Sequence, residues 1–170
     1  KEKEMTYKLS QRSLDRLEGV DQGLQAVVKS AIGATKTDFG VICGLRTIEE
    51  QRVLVAKGAS KTMNSKHIGG NAVDLMAYVG SRGSWELNLY DDLADAMKEA
   101  AIVLGISVRW GAAWHINDIR NWDGTMEEAM NAYAPVTRVA RTWTSAQKVV
   151  ALEPVTRAAR TFTSKTLRCS

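Results

Sequence analysis

Ser65-Lys66-His67-Ile68-Gly69-Gly70-Asn71-Ala72-Val73-Asp74 is the stretch on which the reading of this chain turns. Its first half is small, polar and glycine-containing, the composition of a loop. From Ala72 to Ala77 the side chains are mostly apolar, which predicts a short strand. A histidine in the loop and a carboxylate seven residues on, at the mouth of that strand, can be aimed at one point. Neutral imidazole and carboxylate are both good ligands for zinc, and Gly69 and Gly70 let the backbone turn tightly between them. Taken alone, the spacing equally suits a capped loop histidine and a strand-end turn aspartate.

Working outward, Asp38–Cys43 predicts another strand, with Gly44 as the turn after it. Cys43 closes an apolar run and reads as a small buried hydrophobe. Thr47 with Glu50 makes a capping box for a helix running to about Lys57, with Gly58 as its stop. Upstream, Asp21 can cap a helix over Gln22–Ala34, where Leu24, Val27, Val28, Ala31 and Ile32 form one apolar face. Downstream, a helix over about Leu89–Leu104 buries Leu89, Leu93, Met97, Ala100, Ala101 and Leu104, and Gly105 ends it. Ile106–Trp110 is a third strand. Thr125 and Glu128 open a last helix that runs to about Tyr133. Helices and short strands mix without regular alternation, so an α+β fold is expected rather than a doubly wound sheet.

The chain has 170 residues, 45% hydrophobic and 25% charged, the balance of a soluble protein with a core. That excludes collagen-like, mucin-like and wholly disordered classes. No apolar run approaches the roughly 18 residues of a membrane span, and the opening residues are too polar for a secretory signal. Synthesis in the cytoplasm is the expectation. Cys43 and Cys169 are too few for a disulfide scaffold or a four-thiolate zinc site, and a reducing compartment is favoured.

The net charge of +4 is unevenly placed. Residues 134–170 hold seven basic side chains against Glu153 alone, leaving 16 basic and 18 acidic residues before them. Both prolines lie there, and Pro135–Ser145 recurs with two changes as Pro154–Ser164. Three segments follow: an extension over 1–6, a domain over 7–133, and a basic tail over 134–170 with a two-copy near-repeat. The bland reading of the tail is a solvated extension.

The full pattern Ser65-x-His67-x-x-Gly70-x-Ala72-x-Asp74, preceded by Gly44-Leu45-Arg46-Thr47, resembles the zinc-dependent peptidoglycan peptidases of the D-Ala-D-Ala carboxypeptidase and L-alanyl-D-glutamate endopeptidase family. The phage endolysins are the nearest branch. The likeness runs from about Tyr7 to Tyr133 and includes Arg109-Trp110-Gly111-Ala112-Ala113-Trp114. It implies a single domain with a small, mainly antiparallel sheet and flanking helices. It also implies Zn²⁺ as cofactor, with His67 and Asp74 as the first two ligands. Arg46 is then expected to hold a substrate carboxylate or carbonyl with its planar fork, and Ser65 to hydrogen-bond substrate or a ligand.

The family pattern also implies a third histidine ligand in a late strand, preceded by an acidic general base. This chain has only His67 and His115, and no histidine follows Tyr133. His115, in Trp114-His115-Ile116-Asn117-Asp118, is the candidate substitute ligand, against the plainer reading of a packed or solvent-facing histidine. Asp118 is the candidate base, with Asp123 and Glu153 the other nearby acids.

The expected function is therefore that of an endolysin-type zinc peptidase cutting the peptide stems of bacterial peptidoglycan, impaired where the late ligand and base are replaced. Such a lysin would be a monomer and would reach the wall after the membrane is permeabilised. The alternative is a catalytically degenerate wall-binding protein gripping anionic polymer through its basic tail. Specific nucleic-acid binding is not expected, because no recognised motif accompanies the basic repeat.

Overall fold

The computed structural model describes residues 6–133 together with the backbone of 151–154. In chain order the elements are α1 (Gln11–Arg16), α2 (Gln22–Ala34), β1 (Asp38–Cys43), α3 (Ile48–Ala56), β2 (Val73–Val79), β3 (Arg82–Ser84), α4 (Leu87–Leu104), β4 (Val108–Trp110), α5 (Met126–Tyr133) and β5 (Ala151–Pro154). Two single 3-10 turns, Gly111–Ala113 and Ile119–Asn121, lie between β4 and α5.

The antiparallel sheet runs in the order β1-β2-β5-β4, with β3 pairing β2 off that path. This is the expected α+β architecture, helices packed on a small antiparallel sheet. One strand comes from beyond Tyr133, so the basic segment contributes residues 151–154 to the sheet. The rest of that segment, with its near-repeat, and residues 1–5 lie outside the described residues.

Helix periodicity accounts for the core. In α2 the Asp21 carboxylate caps Leu24 N–H at 2.9 Å, and the buried face is Leu24, Val27, Val28, Ala31 and Ile32, as its spacing predicts. It packs on α4, which buries Tyr90, Leu93, Met97, Ala100 and Ala101. Full burial of a side chain such as Leu24 or Leu93 stabilises by roughly 1.5–3 kcal/mol. The expected α4 stripe is too long at both ends: Leu89 is half-buried and Leu104 is 41% exposed. Leu104 sits in the last turn, and Gly105 then ends the helix in the left-handed region at φ 68°. No helix among the described residues is long and apolar enough to cross a membrane.

The β1–β2 ladder carries the detail that matters most for the site. Asp38 to Val41 pair in step with Tyr78 to Leu75, but the next pair is Cys43 with Asp74. Ile42 is the extra residue of a β-bulge, a device that re-aims side chains beside active sites.

Candidate metal and substrate site

His67 ends up buried because three backbone contacts hold its loop. Its carbonyl accepts from Arg46 N–H at 3.0 Å, Asn71 N–H bonds Lys66 O at 2.9 Å, and Gly70 O accepts from Asp21 N–H at 2.8 Å. Gly70 takes φ +69°, and a Cβ there would run into the Gly19 carbonyl, so the loop can lie against the α1–α2 turn only with glycine at this position. Gly44 is equally constrained, since a Cβ would strike the Arg16 carbonyl.

That seating decides the tautomer. His67 Nδ1 lies 2.8 Å from Gly44 O, and a carbonyl only accepts, so Nδ1 carries the hydrogen. Nε2 is left facing Asp74 Oδ1 at 3.3 Å. Both residues are 5% exposed, yet neither of these two atoms has a hydrogen-bond partner. Two buried polar atoms turned toward each other without an aligned bond suit a shared divalent cation. A ligating histidine also characteristically donates its other ring N–H to a carbonyl.

Cys43 Sγ completes the cluster. It lies 3.7 Å from the His67 ring nitrogen Nδ1, and one donor atom each from Cys43, His67 and Asp74 falls within 4.8 Å of the others. Arg46 closes the far side: Nη2 donates to Cys43 Sγ at 3.2 Å and stands 3.7 Å from Asp74 Oδ2. Its Nη1 donates to Gln51 Oε1 at 2.8 Å.

Burial alone would keep the imidazole neutral, but the Asp74 carboxylate and Cys43 outweigh it and push the His67 pKa up to about 10. For Cys43, burial works against ionisation, while His67 and Arg46 prevail and hold the thiol below its ordinary value.

The expected site residues thus divide. Arg46, His67 and Asp74 converge. Ser65 sits at the edge of the loop, its Oγ accepting weakly from His67 N–H at 3.4 Å, and lines a shallow pocket with Ile48, Met63 and Asn64. His115 does not join the cluster: it is exposed, stacked on Tyr133 at 5.4 Å and edge-on to Trp122 at 5.9 Å.

Asp118 is engaged by its own neighbours. Its carboxylate caps the 3-10 turn at Arg120 N–H, pairs with the Arg120 guanidinium and accepts from Ser107 Oγ at 2.7 Å. Burial raises its pKa, but these donors outweigh it and hold the carboxyl below the ordinary range. An acid so fully engaged by donors is poorly placed to collect a proton as a base. Cys43, read as a plain hydrophobe, is half-buried and polar in its contacts. Gln51 was not anticipated at all; only its place one turn into a capped helix after Arg46 hints at a role.

A groove of about 840 Å³ opens beside this cluster, lined in part by Arg16, Cys43, Arg46, Glu50 and Leu54.

Comparison with known proteins finds relatives of one kind. The sequence model of a family described as phage L-alanyl-D-glutamate peptidase matches residues 5–131. The L-alanyl-D-glutamate peptidase of Escherichia phage T5 is 31% identical over 115 residues, covering 65% of this chain and 84% of that protein. Among solved structures, the Serratia marcescens L-Ala D-Glu endopeptidase ChiX superposes with a TM-score of 0.60 at 36% identity, covering 68% of this chain and 86% of that one.

Proposed function

The chain belongs to the phage L-alanyl-D-glutamate peptidase family, and from that premise we propose that it hydrolyses the L-alanyl-D-glutamyl bond of peptidoglycan stems with zinc held by His67 and Asp74. The family is one of peptidoglycan-cleaving enzymes. The observation that carries the finer reading is the pair of buried atoms His67 Nε2 and Asp74 Oδ1, 3.3 Å apart and without hydrogen-bond partners.

When bound, zinc supplies a Lewis acid that polarises a peptide carbonyl and makes water more acidic. The chain's own residues do the rest. Gly44 O, accepting from Nδ1, fixes the imidazole with Nε2 turned toward Asp74. Arg46, held by Gln51 and lining the groove, is placed to pair with the carboxylate of a D-glutamyl residue or to hold a carbonyl. The groove between α1 and α3 receives the stem and limits how it can slide. Access to the wall follows permeabilisation of the membrane.

The test is to incubate the zinc-supplemented protein with purified sacculi and look for new D-glutamyl amino termini. Release by the wild type and background levels with His67→Ala are expected. Equal release by the mutant would remove the metal mechanism.

A further inference from the structure

We propose that Cys43 is a third protein ligand, making this a thiolate–imidazole–carboxylate site for a thiophilic divalent cation such as zinc. The proposal rests on the reading of His67 and Asp74 as a ligand pair, and goes beyond it in the identity of the third donor.

Strand register carries the argument. With regular pairing, Ile42 would stand opposite Asp74, and Cys43 would point to the other face of the sheet. The bulge at Ile42 puts Cys43 there instead. Directly opposed residues of an antiparallel pair share a face, with Cβ atoms about 4.5–5.5 Å apart. Cys43 is thereby turned to the same side as the unpartnered Asp74 Oδ1.

Distances agree with that placement. The three donor atoms lie within 4.8 Å of one another. A tetrahedral zinc with Zn–S about 2.3 Å and Zn–N or Zn–O about 2.0–2.2 Å sets its ligand atoms roughly 3.3–3.7 Å apart. The pair His67 Nε2 and Asp74 Oδ1 is already at 3.3 Å, and Cys43 Sγ lies 3.7 Å from the other nitrogen of the same ring, so closing the shell requires the thiol to shift toward Nε2. Arg46 Nη2 donates to Sγ at 3.2 Å and so orients it. Sulfur also changes the preference among metals: a soft donor selects zinc, cadmium or cobalt over magnesium or calcium.

Cobalt titration of the metal-free full chain reads this directly, because a thiolate ligand adds an intense near-ultraviolet charge-transfer band. The band is expected in the wild type and in Cys169→Ser. It should vanish in Cys43→Ser, with cobalt affinity weakened about 100-fold or more, given that even partners behind a ligand are worth 10–100-fold. Where Cys43→Ser fails to fold, zinc protection of Cys43 from alkylation in the Cys169→Ser protein, reversed by a chelator, gives the same answer. Cobalt binding that depends on His67 but shows no band and no protection of Cys43 overturns this proposal and leaves the peptidase reading standing. Absence of any cobalt or zinc binding sinks both.

Discussion

Gln51 has none of its surface exposed, yet every polar atom of its amide is engaged. It accepts from Arg46 and donates to Ser60 Oγ at 2.9 Å and to the Thr62 carbonyl at 2.6 Å. One side chain therefore anchors both Arg46 and the start of the loop that carries His67. Gln51→Leu keeps the volume and strands those partners, so urea denaturation is expected to show a loss of about 1–3 kcal/mol. The same variant should raise KM more than it lowers kcat, because Arg46 loses its orientation while the ligands stay. At this scale the sequence was informative where chemistry and spacing coincided. The pairing of His67 with Asp74 is legible only through the likeness of the whole Ser65–Asp74 pattern to a family, since their spacing alone suits turn residues as well. Cys43 could not, because alternation along β1 says that residues 42 and 43 face opposite ways but not which of them faces Asp74.

Elements were legible in proportion to their periodicity. The apolar face of α2 repeats over three turns and was read correctly, as were the capping boxes of Thr47 with Glu50 and Thr125 with Glu128. In contrast α1, only six residues long, buries a serine rather than an apolar stripe and announces itself only through Ser10 as its cap. The three residues of β3 are too few to show alternation. The strand β5 is hardest of all, since nothing in Ala-Leu-Glu-Pro says that it lies between β2 and β4. It pairs Ala151 with Asp74 on the side away from Cys43.

At the scale of the molecule, charge is partitioned along the chain, with an excess of two acidic residues through 133 and six basic ones after it. Peptidoglycan carrying anionic polymer would favour the second part, and exposed charges of this kind are screened within about 10 Å at 0.1 M salt. Retention on purified sacculi should therefore fall as salt rises in the full chain. A chain cut after Pro154, which keeps β5, should bind less at low salt and respond less to added salt. Identical retention of both forms would remove the tail from wall recognition. The α1–α2 turn has a different bearing on the whole. Gly70 leaves no clearance over the Gly19 carbonyl, and Asp21 grips the same loop from the other side. Surface turns usually absorb insertions freely, but lengthening this one would lever the imidazole out of line, so residues 17–21 act as a fixed spacer whose length the chemistry cannot let drift.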